Sequence, residues 1–343
     1  MRVLRIGIIG AGWAAEHHLR AYASLGRRVA VVALADPDAS VRTARAADWG
    51  VGRTYDSAAA LLAASDLQLD AIDVACPREH HADAVQRAVA AGLAVFCQKP
   101  LAPTWNEARS LVDGLPAGAR LMVHENWRYR PHYRLMCDWI AAGRIGQLRE
   151  VTVRVCTSGL LPDAGGCLPA LQRQPMLAGL DRMLLMEVMI HHIDALRMLV
   201  GDMTLLGAVT GSDTDCLRGE DRASLLFNAS GAAVSLIGDF RAHGAPGALS
   251  DAVTLQGTDG VISLAQDRLS LSAGTEVLED VALDLAADYA ASYRDAIAFF
   301  LDAVEAEDAA PFAAQVEDNL RTLALVEQAY ASHAPRFPLV RGG

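Results

Sequence analysis

Lysine is all but absent from this chain. Of its 30 basic side chains in 343 residues, 29 are arginine, and Lys99 is the single lysine. A chain that spends arginine wherever a surface cation will do keeps an ammonium where a planar, permanently charged guanidinium fails. Other shortages exclude whole classes of function. The six cysteines (76, 97, 137, 156, 167 and 216) are scattered, with no C-x-x-C pair and no metal-ligand spacing. They read as reduced thiols of a cytoplasmic protein without a bound metal. A basic excess is missing too: 30 basic against 41 acidic side chains, net −11, argues against nucleic acid as a partner. No apolar run reaches the length of a membrane span. Met1-Arg2-Val3-Leu4-Arg5 leads straight into a strand, without a signal peptide's apolar region, so no membrane partner is expected. The length fits two domains of ordinary size or one large one, with ample apolar content, 52%, for real cores.

The first of these domains, residues 1–125, has the order of a dinucleotide-binding unit. Residues 3–9 form an apolar run suited to a buried parallel strand, which opens into Gly10-Ala11-Gly12-Trp13-Ala14-Ala15 and a helix to about Leu25. In this G-x-G-x-x-A turn, Gly10 permits the tight bend and Gly12 lets backbone approach a pyrophosphate. Ala15 lets the helix pack closely on the strand. A second apolar strand, Val29 to Ala35, ends in Asp36, whose carboxylate suits the adenosine ribose hydroxyls and repels a 2′-phosphate. NAD is therefore favoured over NADP, although Asp36 also fits a plain Asp-Pro-Asp turn.

Strands then alternate with helices. Helices are expected at Ala39–Trp49, Ser57–Ala64 (capped by Asp56), Glu79–Ala91 and after Thr104. Strands are expected at Ala71–Ala75, Leu93–Cys97 and Leu121–His124. That alternation implies a doubly wound parallel Rossmann sheet, α/β in class. The turns Cys76-Pro77 and Gln98-Lys99-Pro100 follow successive strands, so both fall on the carboxyl edge, where open α/β sheets bind ligands.

From residue 126 to 343 the texture becomes α+β. After a helix near His132–Ala142, strands are expected at about 148–156, 205–211, 223–228, 232–240 and 253–256, with short ones near Val261 and Leu269. Hairpin-like turns suggest a mostly antiparallel open sheet, and two helices, about 289–306 and 313–332, follow. Within this domain Met183–Leu199 is strongly helical and apolar, yet carries Glu187, His191 and Asp194 at i, i+4 and i+7, one helical stripe. His192 lies about 100° away. An acid, an imidazole and a second acid on an apolar helix are costly unless satisfied or used. Read alone, the segment also fits a structural His–Asp pair with Glu187 facing solvent. The cluster Arg128, Arg130 and Arg134 fits either an anionic substrate or a solvated face. The loop Thr157–Asp181, with Arg173, has the makings of a lid or specificity loop.

Together these pieces resemble the Gfo/Idh/MocA oxidoreductases, the family of glucose–fructose oxidoreductase and inositol 2-dehydrogenase. The resemblance rests on Gly10-Ala11-Gly12-Trp13 with Asp36, on Pro77-Arg-Glu-His80-His81 and on Gln98-Lys99-Pro100. It extends to His124-Glu-Asn126-Trp-Arg128 and to Glu187-Val-Met189-Ile-His191-His-Ile-Asp194. Two departures stand out: Gln98 replaces the glutamate of the family's Glu-Lys-Pro motif, and Glu187 and Met189 replace an aspartate and a glycine. The resemblance implies hydride transfer between nicotinamide and a carbinol carbon of a polyol, sugar or sugar derivative. His191 would be the general base, Lys99 would stabilise the alkoxide and Glu187 would orient the substrate. It adds Trp13, Cys76, Pro77, His81, Gln98 and Pro100 to the cofactor site, and Asn126, Arg128 and Arg173 to the substrate side. It also implies a homo-oligomer, dimer or tetramer. Two other activities fit the same fold: an NAD-retaining glycosidase working by transient oxidation, and a non-catalytic dinucleotide sensor, whose mark would be loss of the lysine.

Overall fold

The computed structural model describes residues 2–248 and 250–332, which divide into two compact units. Of these, the first takes residues 2–131 and 286–323, the second 132–248, 250–285 and 324–332. The division therefore differs from a single cut at 125/126, because residues 286–323 belong with the first sheet. The reason lies in their apolar side chains: Tyr293, Ile297, Phe300 and Phe312 join Ile6, Leu34, Phe96 and Met122 in one buried cluster.

The first unit's elements are β1 (Leu4–Ile9), α1 (Trp13–Ser24), β2 (Val29–Ala35), α2 (Ala39–Trp49), β3 (Arg53–Tyr55), α3 (Ala58–Ala63), β4 (Ala71–Val74), α4 (His81–Ala90), β5 (Ala94–Gln98), α5 (Trp105–Asp113) and β6 (Leu121–His124). The six strands are all parallel in the order β3-β2-β1-β4-β5-β6. This is the doubly wound Rossmann order, with its crevice at the β1/β4 switch point. Buried on both faces, β4 and the first four residues of β5 read as continuous apolar runs broken only by Asp73. Helix starts follow side-chain caps: Asp38 accepts from the N–H groups of Ser40 and Val41, and Thr104 from that of Glu107. At α3 the cap is Ser57, which accepts from the Ala60 N–H, and not the expected Asp56.

In the second unit α6 (Pro131–Ala141, its first residue still in the first unit) leads to β7 (Leu148–Cys156). A short α7 (Pro169–Arg173) follows, then α8 (Ile190–Val200), preceded by a π-helical turn at Leu184–Met189. Next come β8 (Thr204–Gly211), β9 (Arg222–Ala229), β10 (Ala232–Asp239), β11 (Ser250–Gly257), β12 (Val261–Ala265), β13 (Arg268–Ala273) and β14 (Glu276–Ala282). The order is β14-β13-β12-β11-β7-β10-β9-β8, antiparallel except where β7 pairs with β10. Alternation buries one face, with Val151, Val153, Leu225, Phe227, Val234 and Leu236 pointing inward. Each such side chain contributes about 1.5–3 kcal/mol of burial. The last described elements are α9 (Leu285–Ala306) and α10 (Ala310–Ala331), of which residues 286–323 belong to the first unit.

Candidate active site

The glycine turn after β1 is shaped for a close approach. Gly10 has φ +102°, and a Cβ there would lie 2.6 Å from the backbone of Ala75 and Cys76, so no other residue fits. A Cβ on Gly12 would meet nothing within 4 Å. Gly12 caps α1 without a side-chain hydrogen bond, so its Cβ-less face leaves open space above the helix's first N–H groups. Asp36 lies beside this turn at the end of β2. Its Oδ2 accepts the Ala11 N–H at 2.8 Å and its Oδ1 the Asp38 N–H at 2.9 Å. A pyrophosphate and an adenosine ribose fit this arrangement: free helix-terminal donors, a Cβ-sized gap and a carboxylate at the correct strand end. Trp13 stands exposed at the helix start, its indole edge-on to His17 at 4.3 Å. Burial and the neighbouring Arg20 push the His17 pKa down to about 4, so that ring is neutral at working pH.

Further along the carboxyl edge, the Cys76-Pro77 and Gln98-Lys99-Pro100 turns are tied together by one imidazole. His81, at the start of α4, has Nδ1 2.9 Å from the Pro100 carbonyl oxygen and Nε2 2.9 Å from that of Cys76. The ring is buried and works as a strut between the two loops. Lys99 is half-buried, precedes a cis peptide bond to Pro100, and donates its N–H to Gln98 Oε1 at 2.8 Å. Burial raises the Cys76 thiol to about 12, which keeps it protonated and removes it as a nucleophile.

In the second unit, Glu187 lies inside the π-helical turn and His191 and Asp194 inside α8. The expected single α-helical stripe is therefore interrupted, and Glu187 does not keep the α-helical phase of His191 and Asp194. The turn is held at its start by Glu220, whose carboxylate accepts the Leu185 N–H at 2.9 Å and the Tyr330 hydroxyl at 2.7 Å. Burial and the Glu220 carboxylate push the Tyr330 pKa up, so its hydroxyl donates throughout the working range. The two histidines differ in kind. His192 is 1% exposed, with Nε2 2.9 Å from Asp251 Oδ1 and Nδ1 3.2 Å from the Val188 carbonyl. His191 is 8% exposed, the more open of the two. No group of three or more His, Cys, Asp or Glu side chains among the described residues is placed to hold a metal ion.

Two family profiles cover most of the chain. Residues 4–124 match the oxidoreductase family with an NAD-binding Rossmann fold, and residues 133–263 match the GFO/IDH/MocA C-terminal domain. A D-apiose dehydrogenase from Paraburkholderia graminis is 31% identical over 95% of this chain and 86% of its own length. The chain belongs to the GFO/IDH/MocA oxidoreductase family. An inositol 2-dehydrogenase from Rhizobium meliloti is 27% identical over 97% of this chain and 98% of its own. An oxidoreductase from Agrobacterium radiobacter, solved in complex with NAD+, L-tartaric acid and magnesium, superposes with a TM-score of 0.83. It is 25% identical, with 96% of each chain covered.

Not every residue picked from the sequence of this GFO/IDH/MocA member stands at an open site. Asn126 is buried in the first unit and its amide donates to Ser292 Oγ at 2.8 Å. Arg128 pairs with Asp318 at 2.8 Å, and Arg130 lies over the Trp127 ring at 4.8 Å. Arg173 is exposed at the end of α7. Residues that sequence reasoning passed over include Arg42, which donates to the Asp36 carbonyl oxygen, and Glu220. A carboxylate placed just before an apolar strand, with no basic neighbour in sequence except Arg218 and Arg222, was the available signal for Glu220. Glu220→Gln should lower stability by about 1–3 kcal/mol, because an amide nitrogen replaces one acceptor facing buried donors. Denaturant unfolding measures this. An unchanged midpoint would remove Glu220 from the support of the π turn.

Proposed function

We propose that this oxidoreductase transfers hydride between NAD and a carbinol carbon of a polyol, sugar or sugar derivative. The observation that carries the reading is Lys99, the chain's single ammonium, held at the carboxyl edge of a sheet whose first turn is shaped for a dinucleotide. The names of the D-apiose and inositol dehydrogenases among its relatives support the substrate class. The bound nicotinamide supplies the hydride acceptor. Gly10, Gly12 and Ala15 admit the dinucleotide and Asp36 takes its ribose hydroxyls. Trp13, Cys76, Pro77, His81, Gln98 and Pro100 line or brace that side. In this reading Lys99 hydrogen-bonds the substrate oxygen and stabilises the developing alkoxide, and His191 accepts the hydroxyl proton. Glu187 orients the substrate, with Arg173 on the substrate side, while Asn126 and Arg128, bound to Ser292 and Asp318, brace the first unit. Incubating the purified protein with NAD+ and a panel of polyols, sugars and sugar acids tests the proposal by NADH absorbance. Failure to reduce NAD+ with any of them, alongside cleavage of a glycoside, would instead favour transient oxidation with retained cofactor.

NAD is preferred over NADP because the Asp36 carboxylate binds a free 2′-hydroxyl and repels a phosphate. Arg42 is turned to the backbone of Asp36, which leaves the carboxylate to set the preference. Asp36→Ser should narrow the ratio of kcat/KM between the two cofactors. A wild type that favours NADP, or a ratio unmoved by the substitution, reduces Asp36 to a turn residue. The reading includes a cytoplasmic location; no described helix is long and apolar enough to cross a membrane. It also includes a homo-oligomer, supported by Leu206, Val209 and Leu226 exposed on strands of the second sheet.

A further inference from the structure

A line of hydrogen bonds runs through the core of the first unit and ends at Lys99. Tyr22 and His18 lie one turn apart on α1, and both reach the same oxygen of Asp73 on β4. The Tyr22 hydroxyl is 2.9 Å and His18 Nδ1 2.7 Å from Asp73 Oδ2. Tyr22 is 2% exposed and His18 and Asp73 are fully buried. His18 Nε2 in turn lies 3.3 Å from the amide nitrogen of Gln98, whose Oε1 accepts the Lys99 N–H.

Donor and acceptor rules leave one arrangement of protons along this line. A backbone N–H only donates, so Gln98 must present its oxygen to Lys99 and its NH2 to His18. An NH2 also only donates, so His18 Nε2 must be a bare lone pair. The ring proton is then on Nδ1, where it donates to Asp73. Burial and the Asp73 carboxylate push the Tyr22 pKa well up, so its hydroxyl is the second donor to the same oxygen. Around the ring stand Phe96, Tyr293 and His124, and its acid partner is Asp73.

Packing alone does not account for this line. Asp73 sits in the middle of a parallel sheet and its Oδ1 has no hydrogen-bond partner, a costly state that an apolar residue would avoid. Gln98 is also the matched partner of a neutral imidazole. A glutamate there, as in the Glu-Lys-Pro pattern the motif resembles, only accepts. It would require a proton on Nε2 and hence an imidazolium.

We propose that Tyr22, Asp73 and His18 are positioning residues that hold His18 neutral in its Nδ1–H form, so that the Gln98 amide fixes the backbone of Lys99. The inference rests on the role of Lys99 proposed above. Nitrogen NMR of the histidine-labelled, NAD+-bound enzyme, with His18 assigned through His18→Gln, reads the tautomer without any substrate. The expected spectrum shows Nδ1 protonated and Nε2 bare at neutral pH, and Gln98→Glu should protonate both. Gln98→Glu, at the half-buried end of the line, should also lower kcat about tenfold or more, as small misplacements at a reacting centre do. A wild-type His18 protonated at Nε2 overturns the assignment. The expected tautomer with an unchanged kcat in Gln98→Glu overturns the positioning role while leaving the reading of Lys99 intact.

Discussion

Lys99→Arg should lower kcat at least about 100-fold, the loss expected when one transition-state donor is removed, while NAD+ affinity stays near wild type. The substitution keeps the charge and changes everything else. A guanidinium is planar, longer and not titratable, and its five donors point in a fixed fork. A developing alkoxide needs one short donor that can follow the oxygen as it gains charge. The turn that carries Lys99 is fixed from behind by Gln98 and by the His81 strut between the Pro100 and Cys76 carbonyls. The backbone therefore cannot shift to accommodate a bulkier head. Steady-state kinetics and cofactor titration of the variant decide the matter. A near-normal kcat would mean that the position demands a cation and not an amine.

His191→Asn should depress kcat strongly and flatten the acidic limb of the pH–rate profile, since a group that must be unprotonated to accept the hydroxyl proton has been removed. His192→Asn should instead lower the unfolding midpoint or raise KM, with a smaller effect on kcat. To the helical phase the structure adds the contacts of His192. The His192 ring is enclosed between Asp251 and the Val188 carbonyl and is spent on holding α8 to β11. Removing it leaves the buried Asp251 carboxylate short of a donor, which is a stability effect. Comparing the two variants by pH-dependent kinetics and thermal unfolding separates the roles. Equal losses of kcat, or a larger one in His192→Asn, would move the general base by one residue.

Much of this was legible in the sequence because period and punctuation agree. The G-x-G-x-x-A turn, the strand ending at Asp36 and the alternation from β4 through β6 needed only local rules, whereas the three-residue β3 was not expected. β7 appears at the residues expected, 148–156. What escaped has a common physical origin in partners distant along the chain. The π-helical turn depends on a carboxylate at Glu220 and a hydroxyl at Tyr330, neither visible from the sequence of 184–189. β14 was missed because Glu276, Glu279 and Asp280 give an exposed edge strand the look of a solvated loop. In the sequence Asp73 is one polar residue in an apolar strand. Its meaning appears only once α1 lays His18 and Tyr22 against it.

The return of residues 286–323 to the first sheet bears on how the protein is made. The Phe96 ring stacks on Phe300 at 4.8 Å, and Phe300 meets Phe312 at 6.0 Å. During synthesis, the β5 and β6 side of the first sheet thus emerges from the ribosome long before the aromatic rings that cover it. A nascent chain stopped after residue 131 would carry every strand of that sheet and still show bare Phe96 to chaperones and to other copies of itself. The nucleotide-binding half is completed from its far end, so it matures with the whole polypeptide and not ahead of it.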